Sequence, residues 1–354
     1  MKNKIFVFIF ILYVSIFSIL NIIIPDNDIS KVERRKLKKF PNFELESEWI
    51  NDVDSYLLDH FVLRHKFRSL KANYNYNILN KLDNNGIYIN NNYIFKSNYP
   101  TNKKSIDNFK NKINKLSDLF SENNNVFIMA IPDKNYYLNS NDFLHIDYDY
   151  IYNEINELEY INIDVRDILK LEDYYQTDTH WRQEKLDKVV KKMSTIMNFS
   201  YEETLYQENK YNNFYGVYYG ERATKRTPEQ LIYLTSDLFE NITVNYLENK
   251  NLNEVYNETK LTGLDSYDVY LDGASSFIEI NNQNALNDKE LVVFRDSFGS
   301  SLIPLLIKYY SKITIIDNRY INSDNFKDKI VFKNQDVLFM CSTLIINDSG
   351  SLKG

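Results

Sequence analysis

Residues 5–24 read I-F-V-F-I-F-I-L-Y-V-S-I-F-S-I-L-N-I-I-I without a single charge. As a helix this run is about 30 Å long, the thickness of a bilayer's hydrocarbon core. Lys2 and Lys4 precede it, which favours a short cytoplasmic end and puts the rest of the chain outside. A cleaved signal peptide is the rival reading, and a buried core helix the third. The run ends in Ile22-Ile23-Ile24-Pro25 with no small-x-small cleavage box, so an uncleaved anchor over 1–25 is expected. Residues 26–46 are polar and basic, with Arg34, Arg35, Lys36, Lys38 and Lys39, and read as a solvated linker.

Periodicity then turns helical. Ile50, Val53, Leu57, Phe61, Phe67 and Leu70 predict helix between Trp49 and Leu79, and Ile106, Phe109, Ile113, Leu116 and Phe120 predict another over 104–121. Short apolar runs suited to strands covered on both faces follow at 126–131, 161–165, 291–294, 312–317 and 337–341. Helices are expected between them near 148–159, 181–197 and 302–310. Such alternation predicts an α/β domain over 47–354, a mostly parallel sheet flanked by helices. Between 200 and 288 helical periodicity fades, and alternating pieces at 242–247 and 269–272 suggest a small, partly β insertion near the sheet edge. The Asn-rich pieces at 84–85, 90–92 and 123–125 read as loops.

Composition removes several classes of function. The net charge of −7 argues against a nucleic-acid backbone binder. One cysteine, Cys341, permits no internal disulfide and no cysteine metal cage. Eight glycines form neither a dinucleotide fingerprint nor a P-loop, and nothing calls for a cofactor. The histidines are His60, His65, His145 and His180. The first three lack nucleophile or metal spacing and are assigned to structure.

Ligands of open α/β sheets sit beyond the carboxyl ends of the strands, so two stretches stand out. In Thr177-Asp178-Thr179-His180-Trp181, Thr177 or Asp178 suits the N-cap of the helix expected at 181–197. The helix dipole there favours a neutral His180, the form a general base needs, and Asp178 is placed to hold one ring nitrogen. In Leu291-Val-Val-Phe-Arg-Asp-Ser-Phe-Gly299, a serine follows a buried strand and precedes a helix. It is either a helix cap or a nucleophile whose own N–H faces an oxyanion. The absence of G-x-S-x-G disfavours an ordinary α/β-hydrolase elbow.

D-T-H-W at 178–181 with R-D-S-F-G at 295–299 resembles the SGNH-hydrolase-like proteins of the alginate O-acetylation type, and still more their Gram-positive relatives, the DHHW family. Asp59-His60-Phe61-Val62-Leu63-Arg64 resembles that family's D-H-F-P-x-R. Ile131-Pro132-Asp133-Lys134 resembles its V-P-x-K, and Ile316-Asp317-Asn318-Arg319-Tyr320 its V-D-x-R-Y. The matches run in order from about 45 to 345. Thr179 stands in place of the first histidine of D-H-H-W, and Val62 in place of proline.

The resemblance implies a circularly permuted SGNH fold with Ser297 as nucleophile, His180 as base and Asp178 as its orienting acid. It implies O-acyl transfer, usually of acetyl, to or from a secreted polysaccharide, beside a multi-pass membrane O-acyltransferase. Polysaccharide O-acetylesterase activity would use the same triad, and a non-catalytic polysaccharide-binding or assembly scaffold would keep the fold alone. A metal-dependent deacetylase would use Asp178 and His180 as ligands; no metal is expected, for want of further ligands. Gly216 and Gly220 are candidates for the rest of the oxyanion hole. Arg319 and Lys134, at strand ends, are candidates for substrate binding or for pairing with carboxylates.

Overall fold

The computed structural model describes residues 2–43, 47–138 and 143–353. The chain forms two compact units. One runs to Ile87 and takes back Tyr219–Arg226; the other holds Tyr88–Tyr218 and Thr227–Gly354.

In the first unit the apolar run forms α1 (Lys2–Ile23), long and apolar enough to cross a membrane, with none of that stretch buried. Strands β1 (Ile29–Ser30) and β2 (Arg35–Lys36) pair antiparallel. The helical stretch expected over 49–79 is two helices, α2 (Ser47–His60) and α3 (Arg64–Asn77). The break between them has a tertiary cause. Val62 donates its N–H to the Asn21 side chain at 2.7 Å, and Leu63 takes a left-handed φ of 60°. Neither residue can then continue the helical ladder.

The supposed linker is tied down by charge. Arg35 grips Asp59 with two guanidinium nitrogens, at 2.8 and 2.5 Å, and the Lys38 N–H adds a third bond at 2.9 Å. Glu33 meets Arg64 at 2.7 Å and also pairs with Arg68. His60 Nε2 lies 2.8 Å from the Lys38 carbonyl. The Asp59-to-Arg64 motif is therefore a clasp on residues 33–38. Residues 44–46 of the expected linker lie outside the described residues. The unit also contains β3 (Asp83–Asn84).

The second unit opens with β4 (Ile87–Asn90) and β5 (Tyr93–Lys96), joined by left-handed Asn91 and Asn92. Helix α4 (Lys103–Ser117), capped by the Asn102 side chain, leads to β6 (Asn125–Ile131). Helix α5 (Tyr148–Asn156), capped by Asp147, leads to β7 (Ile161–Asn162). That strand stops short of the expected Val165 because Asp164 turns to accept the backbone N–H and the guanidinium of Arg166. Next come α6 (Asp187–Met197), β8 (Gln207–Phe214), α7 (Val217–Arg222), β9 (Glu229–Thr235), β10 (Ile242–Tyr246), β11 (Phe277–Asn282) and β12 (Glu290–Arg295). The chain ends with α8 (Gly299–Leu302), β13 (Lys312–Ile316), β14 (Asp336–Ser342) and α9 (Thr343–Asn347).

The main sheet has the order β10-β11-β13-β12-β14-β6-β7. Strands β13, β12, β14, β6 and β7 are parallel, while β11 and β10 extend one edge antiparallel. The expected α/β architecture is thus present. Successive side chains of a strand face opposite sides. Leu291 and Val293 of β12 enter one core with Ile313, Ile315, Leu338 and Met340; Val292 and Phe294 enter the other with Val337 and Phe339. Burial on both faces explains the unbroken apolar runs. Part of 200–288 belongs to this sheet, through β10 and β11, while β8 and β9 form a separate antiparallel pair. Residues 269–272 are not a strand: Leu271, Asp272 and Gly273 all have positive φ and make a tight turn.

The bond from Arg35 holds the Asp59 carboxyl down to about 2. A lowered folded value means the stabilisation is complete above the ordinary carboxylate range and disappears as pH falls toward 2. Hydrogen exchange will therefore show the Lys38 amide protected at neutral pH and released near pH 2. Asp59→Asn will release it at neutral pH; unchanged protection would contradict the clasp.

Candidate active site

The loop between Asp173 and Gln183 carries two of the candidate residues without regular helix or long strand. The helix expected from Trp181 begins six residues later, at Asp187. Trp181 instead bridges Tyr174 and is fully buried, its indole N–H donating to the Phe298 carbonyl at 2.9 Å and Ser301 Oγ at 3.0 Å. His180 consequently does not sit at a helix N-terminus, and neither Thr177 nor Asp178 is an N-cap.

The loop is held from several sides. Glu229 accepts the N–H groups of Gln176 and Thr177 at 2.8 and 2.7 Å, and the Thr177 hydroxyl as well. The Lys134 ammonium, 2% exposed, donates to the carbonyls of Tyr175, Gln176 and Asp178 at 3.1, 3.3 and 2.7 Å. It lies 5.0 Å from the Tyr218 ring centre and 5.5 Å from that of Phe95. An unpaired buried carbonyl costs roughly 1–3 kcal/mol, so this lysine clamps the loop.

Gly216 is likewise explained by packing. A Cβ there would lie 2.2 Å from the Asp178 nitrogen, and its N–H donates to Thr177 Oγ1 at 2.8 Å. That N–H is not available to an oxyanion. Gly220 belongs to the first unit, where a Cβ would strike the Val32 carbonyl. Arg319 is spent on Asp317, with bonds of 2.9 and 2.7 Å, and Asp317 also faces buried Arg295 at 3.5 Å. These placements share one feature: each group has a partner or a close backbone neighbour.

Asp178, fully buried, accepts the Val217 N–H on Oδ2 at 2.8 Å and the His180 N–H on Oδ1 at 3.1 Å. The same Oδ1 lies 2.5 Å from His180 Nδ1. A carboxylate only accepts, so Nδ1 carries the proton and Nε2 is left as an acceptor. Nε2 lies 2.8 Å from Ser297 Oγ. The structure therefore brings Ser297, His180 and Asp178 into one line of hydrogen bonds.

Ser297 follows β12 directly. The capping role considered for it falls to its neighbour: Asp296 accepts the Phe298 N–H at 2.9 Å and the Ser342 N–H at 2.7 Å. The hydroxyl is left facing His180. The Ser297 N–H meets no protein acceptor among the described residues. Phe298 and Gly299 donate instead to Asp296. One backbone donor is thus available beside the hydroxyl.

Sequence reading missed Tyr267. Its ring stacks on the imidazole at 3.8 Å between centres and 7° between planes, and its hydroxyl donates to Ser301 Oγ at 2.9 Å. Burial pushes the phenol well above its ordinary range, so the ring stays neutral. Nothing in Asp265-Ser-Tyr-Asp268 marks it, because the contact spans 87 positions of chain between 180 and 267. Asp268 follows, its carboxyl raised to about 6 by burial and then by Asp265, against the pull of Lys260 and His180. Among the described residues no group of three or more His, Cys, Asp or Glu is placed to hold a metal ion.

No protein-family model and no curated protein matches the chain. Solved structures do. A DHHW family protein from Eubacterium siraeum DSM 15702 superposes with a TM-score of 0.64 at 20% identity, over 77% of this chain and 97% of that one. Bacillus cereus PatB1 with a sulfonyl adduct gives 0.58 at 20% identity, over 73% and 97% of the two chains. A second structure of Bacillus cereus PatB1 gives 0.57 at 19% identity, over 77% and 98% of the two chains. The likeness is one of fold, in agreement with the motif resemblance.

The raised Asp268 carboxyl has a thermodynamic consequence. Below the ordinary aspartate range it is neutral in both states and has no effect. Above that range the unfolded chain ionises first, so stability declines until about pH 6. Asp268→Asn should therefore stabilise the protein at pH 7, on the order of 2 kcal/mol, and change little at pH 3.5. Denaturant titrations at the two pH values check this; equal shifts would contradict it.

Proposed function

We propose that this chain is a membrane-anchored enzyme that transfers an acyl group, acetyl by the motif resemblance, to a hydroxyl of a secreted or cell-surface polysaccharide. Ser297 is the nucleophile, His180 the base and Asp178 the group that fixes the imidazole. The observation that carries this reading is the 2.8 Å approach of His180 Nε2 to Ser297 Oγ, with Nδ1 tied to buried Asp178.

The chemistry follows from that line. His180 Nε2 takes the Ser297 proton as Oγ bonds to the ester carbon of an acyl donor. The oxyanion of the tetrahedral intermediate accepts the Ser297 N–H. As the intermediate collapses, the carbon–oxygen bond to the donor alcohol breaks, and His180 returns the proton to that alcohol. Acyl-Ser297 remains. A sugar hydroxyl then gives its proton to His180 as it attacks the acyl carbon; the bond from that carbon to Oγ breaks, His180 returns the proton to Oγ, and the acylated sugar leaves. Water in the sugar's place gives an esterase with the same residues.

Tyr267 has a role in this cycle. Each proton transfer makes an imidazolium against its ring face, and aromatic faces attract cations. Stacking also holds the ring plane in line with both Asp178 and Ser297.

On this reading α1 anchors the chain and the second unit works outside the cytoplasm. The net charge and the absence of cofactor motifs are compatible with that setting. The donor is supplied by a multi-pass membrane O-acyltransferase, as the motif resemblance implies.

The test is turnover of a small activated acetyl ester by the full-length chain in detergent, with and without oligosaccharide acceptors. Ser297→Ala and His180→Ala should each lower the rate by at least about a thousandfold, while the proteins remain folded. Turnover that survives both substitutions would overturn the assignment. Acetylated oligosaccharide among the products marks transfer, and free acetate alone marks hydrolysis.

Tyr267→Leu should lower kcat about tenfold with little change in KM, since only the charged imidazole loses its partner. Tyr267→Phe keeps the ring and should retain most of the rate. Equal loss in both variants would assign the effect to the Ser301 bond instead.

A further inference from the structure

The first unit carries an apolar stripe that its own residues leave largely exposed. Leu63, Phe67, Leu70, Tyr74 and Ile78 are all exposed, Leu70 by 66%. Their spacing keeps them on one side of α3, while Ala72, buried, lies on the other. On α2, Ile50, Leu57 and Phe61 lie on one side, interrupted by exposed Asp54, with Leu58 beside them at 61% exposure. Single exposed apolar residues are ordinary, but the unbroken stripe on α3 beside the apolar side of α2 marks an interaction surface.

The contacts with α1 say what covers it. Phe17 stacks on Phe61 at 5.7 Å and 8°, and lies 5.9 Å from Phe67. Asn21 accepts the Val62 N–H between α2 and α3. Phe17 and Asn21 are in the last two turns of α1, so both apolar sides begin at the depth where that helix leaves the hydrocarbon. Exposed Lys31, Lys36 and Lys66 lie in the same unit. Glu33 and Asp59, by contrast, are consumed by Arg35, Arg64 and Arg68.

We propose that α2 and α3 lie in the interface of the outer leaflet, with Leu57, Phe67 and Leu70 at the boundary of headgroups and acyl chains and the lysines against lipid phosphates. This rests on the reading of α1 as a retained anchor. The occupant is lipid. A helix with one apolar face and flanking cations binds a bilayer surface in this way, its affinity growing with buried apolar area. The two helices add to the single span a second attachment, and the Asp59 clasp keeps them against its outer end.

Depth-dependent quenching tests the proposal. The full-length chain is placed in vesicles of phosphatidylcholine and phosphatidylglycerol, with an environment-sensitive thiol probe at Leu57→Cys, Leu70→Cys or Ser55→Cys. Ser55 is exposed and lies about 160° around α2 from Leu57. Cys341 is buried with its thiol pushed well above the ordinary range, so labelling goes to the introduced cysteine. Probes at 57 and 70 should be blue-shifted and quenched by nitroxide lipids at least about threefold more than the probe at 55. Equal quenching at all three would overturn the proposal. So would stripe probes that are blue-shifted without lipid quenching, since a second copy of the chain would then be the cover. Intact mass separates the premise from the inference. Loss of the first 25 residues would defeat the anchor reading, whereas absent quenching in a chain that keeps them would defeat the interfacial contact alone.

Discussion

The arrangement depends on holding an irregular loop still. Asp178 and His180 lie on a stretch between Asp173 and Gln183 that has no helix to stiffen it. An unsupported loop of this kind would spread over many backbone states, and ordering it costs about 1–2 kcal/mol per residue. Buried polar contacts offset that cost. Lys134 draws three carbonyls together, Glu229 takes two amides and a hydroxyl, and Val217 donates to the Asp178 carboxylate. Gly216 permits the close approach that the Val217 bond requires. With the loop fixed, the only soft member of the line is the imidazole, and Tyr267 and Phe298 confine it.

The serine is fixed differently, by the central sheet. Strand β12 lies between two parallel neighbours, β13 and β14, and its side chains fill both cores. Asp296 then ties the turn after β12 to the end of β14 through the Ser342 N–H. A buried aspartate thus sets the turn while the serine beside it stays unencumbered. Arg295, on the preceding position, is held by Ser300 and by Asp317. The family-like residues Asp59, Lys134, Asp317 and Arg319 are each engaged in a charge or carbonyl network.

Much of this was legible in the sequence because its signals are local. Strands β6, β12, β13 and β14 are short apolar runs buried on both faces, and those runs mark them within a residue or two. The serine after a buried strand and the Asp-x-His spacing also survive as local patterns. What failed was tertiary in origin. Trp181 leaves the expected helix because the core takes its indole. The helical stretch over 49–79 breaks because Asn21, some forty positions earlier, captures the Val62 N–H. Tyr267 was invisible because stacking leaves no spacing rule. Gly216 and Lys134 were noticed as unusual residues in notable places, yet only their neighbours show that both serve the loop.

The central claim is that Ser297 is activated by His180 and forms a covalent intermediate. Peptide mapping after treatment with a sulfonyl fluoride tests it most directly, since sulfonyl reagents capture activated serine hydroxyls in the first half of such a cycle. The account predicts a single sulfonyl adduct on the peptide containing Ser297, lost in His180→Ala while the protein stays folded. Modification elsewhere with Ser297 untouched, or an adduct on Ser297 that forms as fast without His180, would contradict it.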